Sequence, residues 1–204
     1  MKTQFSALDL ACMIKELQFL IGAKVDNIYH KEKELLLQLH IPNQGKKQLR
    51  IIVPNLMYLT EHKGTYPEKP SGFCMFLRKH LLNARLRALQ QKEFERIAEF
   101  LFETAEGKFL LYAEFFSPGN IVVCNSNNII LLCLEVREFS TRKMKSREPY
   151  TYPHMKYNFL HITEQQLHQC LQESNKESLV KTLAMDLGLG GVYAEELCLS
   201  AQVD

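Results

Sequence analysis

Apolar residues recur at helical spacing in only a few short stretches of this chain, and alternate with polar ones through most of the remainder. Leu10, Met13, Ile14, Leu17 and Ile21 fall three and four apart, which predicts an amphipathic helix over Ala7–Ile21. Ser6 stands before it as an N-cap, Asp9 three residues later completes a capping box, and Gly22 stops the helix. From Val25 the period drops to two. Runs at Val25–Tyr29, Glu34–Ile41, Leu49–Val53 and Met57–Thr60, broken at Pro42-Asn43-Gln44-Gly45 and Pro54-Asn55, predict an antiparallel meander.

A turn-rich stretch, Glu61–Pro70, leads to a second helix over Gly72–Leu82, where Phe73, Phe76, Leu77 and Leu81 stand beside Arg78, Lys79 and His80. Further strands are predicted at Leu86–Gln91, Glu93–Thr104, Lys108–Phe115, Asn120–Asn125 and Ile129–Glu138. Glu106-Gly107, Ser117-Pro118-Gly119 and Ser126-Asn127-Asn128 punctuate them as hairpin turns. The apolar pattern then fails from Ser140 to Pro153, where Arg142, Lys143, Lys145 and Arg147 gather, and this reads as a solvated loop. Thr163 caps a helix running to about Glu173.

Two last helical patterns, Ser178–Met185 and Val192–Gln202, flank Leu187-Gly188-Leu189-Gly190-Gly191, which reads as a helix-hairpin-helix. Glycine permits the tight turn and close approach, and the following helix offers unpaired N–H groups to a phosphate. Glycine-linked helix pairs also serve as plain corners. Glu195 and Glu196, read as first-turn residues after the hairpin, favour the helix dipole but would repel a phosphate. The expected architecture is α+β. An antiparallel, β-sandwich-like domain with two helices spans 1–155, and the helix-hairpin-helix segment spans 163–204, in what reads as a fragment of a longer chain.

With 204 residues, 46% hydrophobic and 24% charged, the chain can bury a sizeable core. A net charge of +2 does not announce a nucleic-acid binder, so such a role must rest on local clustering. The six cysteines form no CxxC pair and read as buried thiols, and the seven histidines show no metal spacing. No metal or cofactor is expected. The chain shows no signal peptide and no apolar run near about 18 residues, so a cytoplasmic location and no membrane contact are expected.

Phe94-Glu95-Arg96-Ile97 falls inside a predicted strand, where alternation puts Arg96 on one face with Phe94, Phe100 and Phe102. A guanidinium there needs a carboxylate, and Asp9 and Glu95 are the candidates. Either a salt bridge locks the fold, or the arginine is presented to a ligand from a rigid strand. Arg78 and Lys79, followed by Arg85 and Arg87, form a basic patch. With the Arg142–Arg147 loop and the glycine hairpin, they suggest a surface that neutralises several phosphates, although a solvated helix face is the plainer account. The chain has no nucleophile elbow, Walker loop, dinucleotide fingerprint or cysteine with an obvious histidine partner, so an enzyme is not indicated.

Several strings together resemble the N-terminal region of the NFACT family of ribosome quality-control factors, some once labelled fibronectin-binding protein A. They are Leu8-Asp9-Leu10, Gly72-Phe73-Cys74-Met75-Phe76-Leu77-Arg78-Lys79-His80, Phe94-Glu95-Arg96-Ile97, Phe115-Phe116-Ser117-Pro118-Gly119-Asn120-Ile121, Arg147-Glu148-Pro149-Tyr150 with Pro153, and Leu187-Gly188-Leu189-Gly190-Gly191-Val192-Tyr193-Ala194-Glu195-Glu196. The resemblance implies a fold similar to the N-terminal domain of MutM-type glycosylases, followed by a helix-hairpin-helix. It also implies binding to a large ribosomal subunit that still carries peptidyl-tRNA. There the family recruits tRNA, chiefly alanyl-tRNA, for untemplated C-terminal tailing of the stalled chain, with peptide transfer left to the ribosome.

Asp9 and Arg96 match family residues needed for tRNA recruitment, while Glu95 stands where the family carries aspartate. The RNA-contacting set expected on these grounds is Asp9, Glu95, Arg96, Arg78, Lys79, Arg142, Lys143, Arg147, Gly188, Gly190 and Gly191. Two other readings compete. A glycosylase or lyase acting on damaged nucleic acid would need an N-terminal proline and adjacent glutamate, where this chain begins Met1-Lys2-Thr3-Gln4. An extracellular adhesin, as the old label suggests, sits poorly with free cysteines and no secretion signal.

Overall fold

The computed structural model describes residues 4–139, 142–153 and 156–203. Helix α1 (Ala7–Glu16) opens on the expected capping box: Asp9 N–H donates to Ser6 Oγ at 3.1 Å, and Ser6 N–H donates to Asp9 Oδ2 at 2.7 Å. The helix is shorter than its apolar stripe predicts. It tightens into a 3-10 turn over Leu17–Leu20, which buries Leu17 and Leu20 and leaves Ile21 exposed. Gly22 follows at φ +91°, in the region glycine tolerates.

The predicted meander forms β1 (Lys24–Lys31), β2 (Glu34–Ile41), β3 (Gly45–Ile52) and β4 (Leu56–Thr60). Helix α2 (Gly72–Leu81), capped by Ser71, buries Cys74, Leu77 and Leu81. The second half comprises β5 (Arg85–Gln91), β6 (Ile97–Thr104), β7 (Gly107–Glu114), β8 (Asn120–Asn125) and β9 (Ile130–Cys133). All nine form one antiparallel sheet in the order β4-β3-β2-β1-β5-β6-β7-β8-β9. The register pair Lys24↔Arg85 joins the halves, flanked by Val25 N–H to Ala84 O at 2.8 Å and Leu86 N–H to Ala23 O at 2.9 Å.

The expected sandwich is therefore one continuous sheet whose halves share a core. Leu35, Leu37 and Leu39 of β2 belong to the same buried cluster as Phe100 and Phe102 of β6, with Leu10 of α1 and Leu77 of α2. The turns of the two halves meet. Gly119, at φ +78°, lies so close to the β3–β4 turn that a Cβ would sit 2.7 Å from Pro54 N. Lys33 reaches across to Pro118 O at 2.5 Å and Glu135 at 3.2 Å.

The reading of Ile129–Glu138 as one strand, followed by a solvated loop, needs correction. β9 ends at Cys133, and β10 (Arg137–Glu138) pairs with β11 (Lys143–Met144) in a separate two-stranded ribbon. Met144 and Tyr150 are buried with Ile97, Tyr112 and Val122 on the outer side of the second half-sheet. Ser140 and Thr141 of the predicted loop lie outside the described residues.

Three helices complete the chain: α3 (Glu164–Glu173), with a Thr163–Gln166 capping box, α4 (Leu179–Met185) and α5 (Gly191–Ala201). Leu183, Leu187, Leu189, Ala194 and Cys198 form their core, which also takes in Ala7 of α1 and Phe94. No helix among the described residues is long and apolar enough to cross a membrane. Five cysteines are buried as expected, but Cys12 on α1 is exposed.

Candidate functional site

A cleft of about 840 Å³ opens where the start of α1, the turn before β6, the end of α3 and the α4–α5 turn converge. Glu95, Arg96, Gly188, Gly190 and Gly191 line it, so segments nearly a hundred residues apart meet at one place. Asp9 joins them through its neighbours. Its Oδ2 accepts the Ser6 hydroxyl at 2.8 Å, its Oδ1 accepts the Tyr193 hydroxyl at 2.6 Å, and Ser6 and Tyr193 both line the cleft.

Arg96 does not sit in a strand, contrary to the alternation of its neighbours. Residues 92–96 form a turn that ends as β6 begins at Ile97. Gln91 fixes that turn to α1, its Nε2 donating to Glu95 O at 2.8 Å and Ala7 O at 2.9 Å. Phe94 is fully buried among the helices, 5.5 Å from the ring of Phe159, rather than beside Phe100 and Phe102. Phe115 N–H closes the turn onto Arg96 O at 2.7 Å. Anchored at both ends, Arg96 is held half-buried at the cleft.

Of the two carboxylates expected to answer Arg96, Glu95 acts on its charge, whereas Asp9 is engaged by Ser6 and Tyr193. Burial pushes the Glu95 carboxyl above its usual range, against the pull of Arg96, and burial likewise lowers the Arg96 guanidinium. The cleft is thus a desolvated place for both charges. An anion arriving there would meet a cation that water only partly screens.

The glycine turn is built for its shape. Gly188 and Gly190 take φ +69° and +76°, and the turn closes through Leu189 N–H to Leu183 O at 3.3 Å and Gly190 N–H to Ala184 O at 3.1 Å. A Cβ on Gly190 would meet Ser6 Cβ at an ordinary 3.7 Å, so conformation rather than space demands glycine there. Gly190 caps α5 with no side-chain hydrogen bond, and Gly191 and Val192, the first residues of that helix, line the cleft. Glu195 and Glu196 correct the expectation: α5 begins at Gly191 and holds no acid in its first turn, and both glutamates are exposed outside the cleft lining.

The remaining basic candidates lie outside the cleft lining, although the Arg142 charge still acts on the Glu95 carboxyl and favours its ionised form. Arg78 donates from Nε to Ile28 O at 2.8 Å and lies 5.4 Å over the Tyr29 ring, closing the edge of β1 where β5 no longer pairs. Lys79 is exposed on α2. Arg142 is not solvated: its side chain is 7% exposed and pairs with Glu114, itself 3% exposed, at 2.8 Å. Lys143 is exposed on β11, and Arg147 occupies a left-handed turn at φ +75° with its N–H on Ile130 O. Sequence reasoning missed Gln91 and Tyr193. Tyr193 stands in the string after the glycines, but only folding shows that it reaches Asp9.

Residues 6–204 match the family described as NFACT N-terminal and middle domains. The archaeal Rqc2 homolog aRqcH of Methanocaldococcus jannaschii is 34% identical across the whole chain, which covers 32% of that protein. Human ribosome quality control complex subunit NEMF is 31% identical over 98% of the chain, covering 19% of the human protein. The chain thus spans a third or less of these relatives. Among solved structures, the N-terminal domain of fibronectin-binding protein PavA from Streptococcus pneumoniae superimposes with a TM-score of 0.81 at 26% identity, over 97% of this chain and 80% of that one. Fold, matched strings and relatives agree: the chain belongs to the NFACT family.

Proposed function

We propose that this chain is the N-terminal, RNA-engaging module of a ribosome quality-control factor. It binds a large ribosomal subunit that still carries peptidyl-tRNA and recruits tRNA, chiefly alanyl-tRNA, for untemplated C-terminal tailing of the stalled chain. It acts in the cytoplasm as a binding module, with peptide transfer left to the ribosome. The α4–α5 pair serves as a helix-hairpin-helix beside a β domain of MutM-like architecture.

The observation that carries this reading is the meeting of Asp9, Glu95, Arg96 and the Gly188–Gly191 turn around one cleft. A guanidinium fixed by a rigid turn offers planar, paired donors to a phosphate, and the start of α5 adds backbone N–H groups. The names of the archaeal and human relatives supply the ribosomal context. The test is titration of tRNA and purified large subunits with the wild-type chain, Asp9→Ala and Arg96→Ala. Arg96→Ala should weaken binding about tenfold or more, the value of one charge-assisted contact, and Asp9→Ala should weaken it by untying α1 from Tyr193 at the cleft. Absent affinity, or affinity indifferent to salt, would overturn the proposal.

A further inference from the structure

Across the outer face of the sheet, the strand registers align one row of residues at the rim away from the cleft-forming turn. Lys46 of β3 stands opposite His40 of β2, His40 opposite Lys24 of β1, and Lys24 opposite Arg85 of β5. The row continues from Arg85 to Glu103 of β6 and from Glu103 to Lys108 of β7. Directly opposed residues share a face, and the opposite face here holds the core residues Val25, Leu39, Leu86, Phe102 and Phe109. Lys46, His40, Lys24, Arg85 and Lys108 are all exposed.

Arg87, in the β5 bulge, lies beside the row and neutralises its one acid, Glu103, at 2.6 Å. Asp26, next to the row, pairs with Lys46 at 3.0 Å. No carboxylate pairs with Lys24, Arg85 or Lys108 among the described residues. Like charges directly opposite one another in a sheet destabilise it, so the Lys24↔Arg85 pair works against folding, and among the described residues the one bond that steadies the Arg85 guanidinium is to Gly22 O at 3.3 Å. A polyanion laid along the row would relieve that repulsion.

From the cross-strand row Lys46–His40–Lys24–Arg85–Lys108 we infer a second RNA-binding surface, which grips a phosphodiester backbone outside the cleft. Five strand spacings of about 4.8 Å make the row about 24 Å wide, against about 3.4 Å per phosphate of one strand, so it spans several phosphates. Contacts of this kind carry no sequence information and set the position of the module on its RNA. The inference rests on the ribosomal reading of the cleft, and the two can fail separately.

The test compares wild type, Lys24→Gln/Arg85→Gln and Arg96→Ala for binding to purified large ribosomal subunits over a salt series. Neutralising the row should weaken binding about tenfold and lower the slope of log affinity against log salt by about 2, one per lost phosphate contact. The thermal midpoint of that variant should stay close to wild type, because relief of the opposed charges offsets the lost Arg85 bond to Gly22 O. Its effect should also multiply with that of Arg96→Ala. Unchanged affinity and slope beside a weakened Arg96→Ala would overturn the row and leave the cleft standing. A wild-type chain that binds no subunits would overturn both, and a variant that loses only binding to phosphatidylserine vesicles would reassign the row to a membrane.

Discussion

Replacing Arg142 by alanine separates a structural role from an RNA-binding one. Its guanidinium donates to both oxygens of Glu114, at 2.8 and 3.4 Å, and lies 5.3 and 5.0 Å from the rings of Phe116 and Phe139. In the variant, the buried carboxylate keeps one donor, the Tyr150 hydroxyl at 3.0 Å. Breaking a buried pair costs about 3–5 kcal/mol. The surviving hydrogen bond, and the option of protonating Glu114, put the expected loss near the lower end, about 3 kcal/mol at neutral pH. For a chain of this size that is a fall of about 6–12 °C in thermal midpoint.

The loss must also shrink in acid. Burial already holds the Glu114 carboxyl above its ordinary range, with Arg142 opposing, so removing Arg142 raises it further. An acid whose folded pKa is raised binds more protons folded than unfolded, so stability recovers as pH falls from the folded value toward the ordinary one. The variant has the higher folded value and recovers more. Thermal denaturation of wild type, Arg142→Ala and Arg142→Ala/Glu114→Gln at about pH 7 and about pH 5 reads each of these effects. The double variant should regain most of the loss, and RNA affinity of the folded single variant should stay at wild type. An unchanged midpoint together with weakened RNA binding and a salt slope lower by about 1 would refute the buried pair.

Gly119→Ala should lose at least about 3 kcal/mol in denaturant titration, because a left-handed alanine costs about 1–2 kcal/mol before the new Cβ meets Pro54 N at 2.7 Å; a loss under 1 would show that the two turns yield easily. Glu95 is pushed up by burial, so acid should neutralise it and leave the permanent charge of Arg96 uncompensated toward RNA. Affinity for tRNA should then rise from about pH 7 to about pH 5.5 in wild type and rise less in Glu95→Gln, and parallel pH profiles would refute this. Cys12 alone is exposed while Cys124 and Cys133 are pushed up to about 12, so a thiol reagent should modify one cysteine rapidly in the native protein and the other five only on unfolding.

The sequence discloses this fold where the deciding chemistry is local. Ser6 and Asp9 are three residues apart, the hairpin turns carry their own glycines and prolines, and Gly188 and Gly190 mark a left-handed turn without outside help. It conceals what a distant partner decides. Arg142 looks solvated beside Lys143, Lys145 and Arg147, yet its partner Glu114 lies 28 residues earlier on β7. Arg96 looks like a strand residue because Phe94, Phe100 and Phe102 alternate correctly. The Gln91 amide breaks the strand by binding Ala7 O and Glu95 O, and Phe94 turns into a different core. The basic row is concealed for the same reason, since register across five strand pairs is a tertiary fact.

Asp9 shows why a cap and a functional residue are not rival descriptions. One carboxylate oxygen, Oδ2, takes the Ser6 N–H and hydroxyl, while the other, Oδ1, takes the Tyr193 hydroxyl from the first turns of α5. The cap fixes the rotamer, and the fixed rotamer ties α1 to the wall of the cleft. An effect of Asp9→Ala on RNA binding therefore mixes a lost cap, about 1 kcal/mol of stability, with a lost tie. Ser6→Ala separates them, because it removes the hydroxyl that caps α1 while the Ser6 N–H still holds Asp9 Oδ2 and the Tyr193 hydroxyl still holds Oδ1. It should lower the denaturation midpoint by less than Asp9→Ala, which also loses the Tyr193 hydrogen bond, while leaving RNA affinity near wild type. Equal weakening of RNA binding by both variants would mean that Asp9 acts only by starting its helix.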